Sequence, residues 1–599
     1  MKKLGLTIKN LRYLIRFSFQ NCPQMLIIDG LFGATVALST VLFIIMPKII
    51  LSAVSQHSSA GYILLLVLLF AGAEMICQYL LSFFSELSGV YNEKMAHDML
   101  LSLSEKATRI DYGDMKSNEL IEKYQHAQNV TFQIDLYLAQ LFCDCFSNLI
   151  KIITVMAVIS TISLWMVGVI MLIVVIKLLV ADYSKKRDVE FQKKADRINV
   201  HYNYAVTLAG HPAFAKEMRC YQAEDFVIGK YHAARERKLQ NEAGKVRFHH
   251  LVNLPEHLLD VIAVASGYAL LVHQYINGFV DITVFTMYLA AITETYNTVA
   301  ELMRVLVNLN DTNRLMQQYM EFLQYPEKIS GSGMRKEIPA AENGSYKIEF
   351  RNVSFRYPHS DQYALHHVNA SFHLGERIGI VGENGAGKTT FVKLLLRLYD
   401  ADEGEILLNG VNIKEIDYET YLHLFSVVPQ DYALFFFSIQ ENVGFEKSRD
   451  EAGKVRRVLN DVRMLEQFEA LPKGLETFTS KWFQGGADFS GGERQRIAIA
   501  RGLFCETPVM VLDEPSAAID PLAEEQIYET IRSISSDKLV FHISHRLSMT
   551  KECDQILVFQ NGTVTEHGDH ASLMKQEGIY QEMFRLQAQY YVQTEEGRA

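Results

Sequence analysis

The sequence predicts a multidomain chain in which an all-α, six-helix transmembrane domain precedes an α/β P-loop domain. Two observations predict this division. Long apolar stretches crowd the first half, and several exceed the roughly 18 to 20 residues that cross a bilayer as a helix. They lie at 25–47, 61–83, 142–163, 164–182, 257–275 and 281–305. In the second half, a glycine-rich loop lies between an apolar strand and a helix. With 49% hydrophobic residues in 599, the chain is too apolar for an ordinary soluble enzyme.

The predicted segments follow one another in chain order. Residues 1–24 interleave basic and apolar side chains, a pattern that predicts an interfacial elbow helix on the inner leaflet. Residues 25–324 form the six-span domain with long cytosolic loops. A linker at 325–344 contains Gly and Ser, and residues 345–599 form the nucleotide-binding domain.

Positive charge predicts the orientation in the membrane. Segment 184–250 is rich in Lys and Arg, whereas the turns near 161–165 and 274–281 carry neither. Because Lys and Arg favour the cytoplasmic side, we expect a multi-pass protein of the bacterial cytoplasmic (inner) membrane with residues 345–599 in the cytosol. The net charge of −11 and this distribution favour the lipid bilayer as a partner and no nucleic acid.

The glycine-rich loop fits the pattern G-x-x-x-x-G-K-[ST] between an apolar strand, 377–381, and a helix that begins at Lys388. Its backbone amides can close around phosphates, the Lys388 ammonium can bind the β- and γ-phosphates, and the Thr389 hydroxyl can ligate Mg²⁺. We therefore expect a nucleoside triphosphate to bind the loop residues Gly382, Asn384, Gly385, Gly387, Lys388, Thr389 and Thr390.

A second group of motifs follows about 100 residues downstream. An apolar strand, 509–512, ends in Asp513 and Glu514, which places Asp513 beside Mg²⁺ and Glu514 where it can polarise an attacking water. A second apolar strand, 539–541, leads to His545 at the same edge of the sheet. Phe489 to Gln495 reads F-S-G-G-E-R-Q.

This ordered set of motifs resembles the ABC ATPase family over residues 345–585. The resemblance implies that Tyr357 stacks on adenine, that Gln430 senses Mg²⁺ and the membrane domain, and that Asp520 lies in a loop communicating between two sites. It also implies ATP and Mg²⁺ as cofactors, with Mg²⁺ held by Thr389, Gln430 and Asp513, and catalytic roles for Glu514 and His545. Ser490, Gly491 and Gly492 resemble the signature that closes on the γ-phosphate of the opposite protomer.

Two positions depart from the family pattern. Phe489 stands where Leu is commoner and Glu493 where Gln is commoner, but neither removes the Ser490 hydroxyl or the glycine amides. Because Lys388, Glu514 and His545 are all present, two copies could build two competent sites. A homodimer is therefore favoured, with a different second subunit as the alternative.

The layout of the whole chain resembles the exporter-type ABC half-transporter. The resemblance implies alternating access driven by two ATP molecules sandwiched between protomers, and short helices in the cytosolic loops that press on the ATPase domains. Positional candidates for these helices are 112–120 and 215–224, of which 216–221 is the more typical. Six spans disfavour a mechanical ATPase that transports nothing.

The cargo is predicted from two weaker patterns. Four acidic residues within or beside apolar spans, Asp29, Glu74, Asp260 and Glu294, suit a cavity for a cationic peptide, unless they pair with Lys151 and Lys177. The stretch Trp482 to Gly486, W-F-Q-G-G, resembles the version found in exporters of lanthipeptides and related peptides. We expect a peptide or modified peptide as substrate. The alternatives are a lipid or multidrug exporter of small molecules, and an importer on the exporter-like fold of the siderophore type.

Overall fold

The computed structural model describes residues 2–160, 164–211, 214–329, 335–339, 346–358, 360–515, 521–534, 537–544, 547 and 549–596. Internal contacts divide the chain into two compact units. The first comprises Met1–Glu105 and Glu122–Gln324, and the second comprises Lys106–Ile121 and Tyr325–Ala599. The short segment Lys106–Ile121 therefore belongs with the ATPase part of the chain, although it lies between two membrane helices in sequence.

Helices joined by short turns make up the described residues before the linker. The helices are α1 (Lys2–Asn21), α2 (Pro23–Ser55), α3 (Ala60–Arg109), α4 (Tyr112–Met115), α5 (Asn118–Ser160), α6 (Leu164–Gly210), α7 (Ala215–Cys220), α8 (Glu224–Ile276) and α9 (Ile282–Leu323). The two short helices, α4 and α7, coincide with the two candidates predicted for the cytosolic loops.

Each predicted apolar stretch lies in one long helix, apart from residues 161–163, which are outside the described ranges. Helices α2, α3 and α8 are long and apolar enough to cross a membrane by length and composition. The other stretches lie in α5, α6 and α9, which have 43, 47 and 42 residues. At about 1.5 Å per residue, each exceeds a hydrocarbon core of roughly 30 Å.

Helix α3 shows why the first unit needs lipid. Leu64, Leu65, Leu68 and Leu69 are all more than half exposed. A water-soluble helix would turn such a stretch toward a protein core, whereas a bilayer solvates it at no cost. The first unit is therefore that of a multi-pass membrane protein.

Helix α1 lies in the segment for which the sequence predicts an elbow helix, and one of its faces packs on protein. Asn10, Leu14 and Ser18 are buried at intervals of four residues, so they share a face. The Asn10 amide donates a 3.1 Å hydrogen bond to the Asn313 side-chain oxygen on α9. This polar contact fixes the position of α1 along α9.

The ATPase unit contains two sheets. The strands are β1 (Lys347–Phe355), β2 (Leu365–His373), β3 (Arg377–Gly382), β4 (Glu403–Leu408), β5 (Val411–Asn412), β6 (Phe425–Val428), β7 (Val509–Asp513), β8 (Leu539–Ile543), β9 (Gln555–Gln560) and β10 (Thr563–Gly568). One sheet has the order β2-β1-β4-β5, and its neighbouring strands are antiparallel. The other has the order β10-β9-β3-β8-β7-β6, in which β9, β3, β8, β7 and β6 pair in parallel.

Helices complete the ATPase unit. They are α10 (Lys388–Leu395), α11 (Tyr418–Leu422), α12 (Ile439–Gly444), α13 (Ala452–Asp461), α14 (Leu465–Glu469), α15 (Gly491–Phe504), α16 (Pro521–Ile534), α17 (His570–Leu573) and α18 (Ile579–Glu596). Strands β3, β7 and β8 are almost completely buried. Such continuous apolar strands are typical of a parallel sheet covered on both faces.

Burial of a histidine in β8 predicts pH-dependent stability. Neither ring nitrogen of His542 has a hydrogen-bond partner among the described residues, and burial lowers the pKa of His542 to about 4. An unfolded chain protonates its histidine near pH 6.5, so the unfolded state binds more protons between pH 6.5 and 4. This contribution to stability is complete above pH 6.5 and is lost as the pH falls, by roughly 3 kcal/mol in total.

We expect His542→Leu to reduce the fall in thermal unfolding temperature between pH 7 and pH 5. The matched control is His567→Leu, which removes an exposed histidine from the adjacent part of the same sheet. Equal pH dependence in wild type and His542→Leu would show that His542 does not stay neutral in the folded protein.

Candidate nucleotide site

The predicted motifs meet at one edge of the parallel sheet. Because β3, β8, β7 and β6 run in the same direction, their carboxyl ends lie together. The glycine-rich loop follows β3, Glu514 follows β7, and Gln430 lies two residues beyond β6. Asp513 pairs with Ile543 at the last position of β8. His545, predicted after β8, and Asp520, predicted after β7, lie outside the described residues.

The glycine-rich loop requires two of its glycines for steric reasons. Gly387 has φ +110°, and a Cβ there would lie 2.9 Å from the Ala364 carbonyl oxygen. At Gly382 a Cβ would overlap the Phe559 carbonyl oxygen. The loop therefore packs too closely on neighbouring backbone for any side chain at these positions. Asn384 and Gly385 are exposed, as residues that face a ligand should be.

Lys388 is buried at the start of α10, and its ammonium donates to the carbonyl oxygens of Gly382 and Glu383 at 2.8 and 2.9 Å. Burial lowers the pKa of Lys388, while the carboxylates of Glu514 and Asp513 act in the opposite direction. The charge is thus held inside its own loop, close to the two acidic side chains that end β7.

Asp513 fits a metal ligand. It is buried, its Oδ1 lacks a hydrogen-bond partner within the described ranges, and burial together with the Glu514 charge raises its pKa to about 6. A buried, unsatisfied carboxylate oxygen is stabilised by a hard cation. Thr389 offers a hydroxyl oxygen and Gln430 an amide oxygen, so the predicted donor set is the all-oxygen type that Mg²⁺ prefers.

Glu514 is held in an unusual backbone conformation. Its φ of +49° lies in the left-handed region, which costs energy for a residue other than glycine. Its amide donates to the Ile543 carbonyl at 3.0 Å, and its Oε2 accepts a 2.8 Å hydrogen bond from the Gln430 amide. Two residues about 84 positions apart, both predicted for the site, are therefore in direct contact.

The F-S-G-G-E motif forms the start of α15. Ser490 is the N-cap, its Oγ accepts from the Glu493 amide at 3.4 Å, and the Glu493 carboxylate accepts from the Ser490 amide at 2.7 Å. This reciprocal arrangement is a capping box, which glutamate supports at this position as well as glutamine does. Although burial alone would raise it, these hydrogen bonds hold the pKa of Glu493 below its usual value.

Aromatic packing explains Phe489, the other residue that departs from the family pattern. The ring of Phe489 meets that of buried Phe468 edge to face, with 5.3 Å between centroids. Gly491 and Gly492 open the first turn of α15, where backbone amides are free to meet an anion.

Tyr357, predicted to stack on adenine, lies beside α10. Its hydroxyl is 3.0 Å from the Thr390 hydroxyl and accepts a 3.3 Å hydrogen bond from Lys393. The structure thus places Tyr357 next to the helix that carries Lys388 and Thr390.

The sequence analysis missed Tyr399, which joins Tyr357 to α4. The Tyr399 ring meets Tyr357 at 5.5 Å and Tyr112 of α4 at 5.9 Å, both edge to face. A Cβ on Gly113 would lie 2.5 Å from the Tyr399 ring, so only glycine permits this approach. No motif signals Tyr399, because its importance comes from two neighbours that are distant in sequence.

The W-F-Q-G-G stretch forms a tight turn with an exposed aromatic face. Trp482 is largely exposed and stacks on Phe436 with 6.3 Å between centroids. Gly486 is required because a Cβ there would overlap the Ser480 carbonyl oxygen. Phe435, Phe436 and Phe437 are each about half exposed, and this run of three phenylalanines is visible in the sequence.

Comparison with known proteins agrees with the geometry of this site. Residues 365–517, which span the glycine-rich loop, the capped signature and the Asp513-Glu514 pair, match the family model described as ABC transporter. The chain is an ABC transporter ATPase domain fused to a transmembrane domain. ATP hydrolysis coupled to transport is the activity that this match and its relatives imply.

Two relatives of this ABC transporter match nearly along their whole length. The subtilin transport ATP-binding protein SpaT of Bacillus subtilis is 29% identical over 97% of this chain and 94% of its own. The nisin transport ATP-binding protein NisT of Lactococcus lactis subsp. lactis is 25% identical over 88% of each chain. The ATP-dependent lipid A-core flippase of Haemophilus influenzae (strain 86-028NP) is 34% identical over 49% of this chain and 50% of its own.

A solved structure shows the same fold. The structure of a bacterial Atm1-family ABC exporter with ATP bound superposes with a TM-score of 0.82, covering 94% of this chain and 98% of the exporter chain, at 22% identity. The predicted order of a helical membrane domain and an α/β ATPase domain is therefore confirmed.

We expect Lys388→Ala to weaken ATP binding by roughly 10- to 100-fold, because a buried charge-assisted contact to phosphate is lost. Equilibrium binding of a fluorescent ATP analogue measures the change. The control is Lys575→Ala, which removes an exposed lysine elsewhere in the ATPase unit. Unchanged affinity in Lys388→Ala would contradict the phosphate role of Lys388.

Tyr399→Ala should weaken ATP binding by about three- to tenfold, since Tyr357 loses an edge-to-face partner. Tyr399→Phe keeps the ring and should bind ATP as wild type does. Gly113→Ala displaces the same ring from the α4 side, and its effect should not add to that of Tyr399→Ala. Additive losses in the double variant would show that Gly113 and Tyr399 act independently.

Proposed function

We propose that this protein exports a peptide or modified peptide across the membrane by ATP-driven alternating access. The observation that carries the proposal is the length of the matches described above. The subtilin and nisin transport proteins align through both the membrane and ATPase parts, whereas the lipid A-core flippase aligns over about half. Cargo contacts lie in the membrane domain, so a full-length match bears on cargo more than a partial one.

Two copies of this chain would together form two ATP-binding sites. ATP bound to Lys388 and the loop amides of one protomer meets Ser490, Gly491 and Gly492 of the other, where α15 presents its unpaired amides. The capping box at Ser490 and Glu493 keeps these amides in place before nucleotide arrives. Because every predicted ATPase motif is present in this one chain, a homodimer needs no second kind of subunit.

Thr389, Gln430 and Asp513 would hold Mg²⁺, which when bound neutralises charge on the phosphate oxygens. Glu514 then orients the attacking water and accepts its proton. In the structure Gln430 holds the Glu514 carboxylate at 2.8 Å. Release of that hydrogen bond, as the Gln430 oxygen turns toward the metal, would free Glu514 for water. His545, beyond β8, is the proposed partner of the γ-phosphate.

The proposed location is the bacterial cytoplasmic membrane, with the ATPase unit in the cytosol. Its support is the concentration of Lys and Arg in segment 184–250 and their absence from the turns near 161–165 and 274–281. The same orientation gives the nucleotide site access to cytosolic ATP.

Lipid export is the second candidate function. The 34% identity with a lipid A-core flippase is higher than that with either peptide transporter, although it extends over only half the chain. A lipid substrate and a peptide substrate are therefore compared directly in the experiment that follows.

In inside-out vesicles, wild type should accumulate a labelled cationic peptide when ATP is supplied, and Glu514→Gln should not. The variant keeps its phosphate contacts but lacks a general base, so we expect ATP turnover to fall by at least about 100-fold while ATP stays bound between protomers. Glu506→Gln, which changes an exposed surface carboxylate, is the matched control.

Three outcomes decide the proposal. Peptide accumulation in wild type and its loss in Glu514→Gln would support peptide export. Accumulation of a labelled lipid or lipophilic dye without peptide would favour the second candidate. Rapid ATP turnover by Glu514→Gln would show that another residue activates the water.

A further inference from the structure

Six side chains form a charged seam between α5 and α9 in the membrane unit. On α5 they are Asp144, Asn148 and Lys151, and on α9 they are Glu294, Glu301 and Arg304. Spacings of three, four and seven residues place each group on one helical face. At about 1.5 Å per residue, Glu294 and Glu301 lie roughly 18 and 28 Å along α9, within its predicted span.

Ion pairs between long side chains join α5 to α9 at the seam. The Lys151 ammonium lies 2.9 Å from a Glu301 carboxylate oxygen and 4.0 Å from one of Glu294. Asp144 interacts electrostatically with Arg304, Glu301 and Lys151. Three anionic groups thus share two cationic groups, and the seam retains one net negative charge.

A second ion pair in the same unit shows what a purely structural pair looks like. Lys177 of α6 and Asp260 of α8 are 2.5 Å apart, with side chains only 3% and 9% exposed. His257 lies 4.0 Å from the other Asp260 oxygen, and the Lys177 ammonium lies 5.7 Å from the centre of the Tyr296 ring. Pairing with Lys177 is the alternative that the sequence left open for Asp260. Glu301, by contrast, is 34% exposed while sharing Lys151 with Glu294. Because an unbalanced charge in a membrane span is costly, the two arrangements call for different explanations.

The remaining acidic residues of the spans also have protein partners. Asp29 accepts a 2.7 Å hydrogen bond from the Ser88 hydroxyl, and Glu74 accepts from Ser39 at 2.9 Å and from the Gln78 amide. The Ser88 and Ser39 hydrogen bonds join α2 to α3, and the Gln78 hydrogen bond lies within α3. Because these partners of Asp29 and Glu74 are neutral, the sharing of carboxylates between cationic side chains distinguishes the α5–α9 seam from both positions.

Asn148 adds an independent observation. It lies one helical turn from Lys151 on the same face of α5 and is 1% exposed. Its side-chain oxygen has no hydrogen-bond partner in the described part of the chain. A buried, unsatisfied amide oxygen is costly and points to a donor that is missing from the single chain.

The groups of the seam that could bind a further partner are hydrogen-bond acceptors. The Glu301 and Glu294 carboxylates and the Asn148 oxygen all accept hydrogen bonds, and the net charge is negative. Lysine ammonium, arginine guanidinium and an N-terminal ammonium are donor-only cations that match both properties. A lipid phosphate or an acidic peptide matches neither.

We propose that the charged seam between α5 and α9 binds basic groups of the exported peptide, with Glu301 as the principal cargo-binding carboxylate. The inference rests on the proposed function and makes it more specific, because it selects cationic over neutral cargo. A peptide cation adds to Glu301 in competition with Lys151, which holds the seam closed when cargo is absent.

The test compares two probe peptides of about 25 residues, one with four lysines and one with glutamine at the same four positions. The full-length protein in lipid nanodiscs hydrolyses ATP while each peptide is titrated, and half-maximal stimulation is measured. Glu301→Gln leaves Lys151 paired one to one with Glu294, the balance seen at Lys177. It should raise the half-maximal concentration of the lysine peptide about tenfold and leave that of the glutamine peptide unchanged.

Lys151→Gln removes the internal competitor and should lower the half-maximal concentration of the lysine peptide. The matched control is Glu321→Gln, which changes an exposed carboxylate lower on α9 that is hydrogen-bonded to Gln317. Basal ATP hydrolysis by each variant checks that the protein has folded.

The outcomes separate this inference from peptide export itself. Equal stimulation of wild type, Glu301→Gln and Lys151→Gln by the lysine peptide would overturn the seam as a cargo site and leave peptide export intact. Stimulation of wild type by the two peptides at equal concentrations would also overturn it. If neither peptide stimulates wild type while a lipid does, both the inference and the proposed function fail.

Discussion

The carboxyl edge of the six-stranded sheet is the constraint on which the rest of the ATPase site depends. Parallel strands β3, β8, β7 and β6 end together, so loops distant in sequence deliver their side chains to one place. The edge holds one buried ammonium, Lys388, opposite two carboxylates, Asp513 and Glu514. A triphosphate and its metal supply charges of both signs, which these groups can bind.

Charge balance also distinguishes structural from functional positions in the membrane unit. Lys177 and Asp260 form an ion pair that is almost completely buried, whereas Lys151 is shared by Glu294 and Glu301, of which Glu301 is 34% exposed. This difference matters in a membrane span, because hydrocarbon does not solvate an ion.

Local geometry holds the site residues ready before a ligand arrives. The capping box at Ser490 fixes the first turn of α15, and the strained backbone at Glu514 is held by an amide bond to β8. Tyr399 adds a connection between Tyr357 and the short helix α4. Tyr357, predicted to stack on adenine, and α4 thus contact the same aromatic residue, Tyr399, within one compact unit.

The sequence by itself determined the two kinds of domain, the six apolar helices and the glycine-rich loop. The length of an apolar stretch and the backbone conformation of a loop both depend on consecutive residues. The sequence also placed Asp513 and Glu514 at the end of one apolar strand, and the family resemblance assigned Gln430 to the same Mg²⁺ site. Only the tertiary structure decided that Asp260 pairs with Lys177, that Glu294 shares Lys151 with Glu301, and that Tyr399 lies between Tyr357 and Tyr112. These contacts join residues from separate helices and strands. No local pattern encodes such pairings, because which faces meet is set by packing of the whole chain.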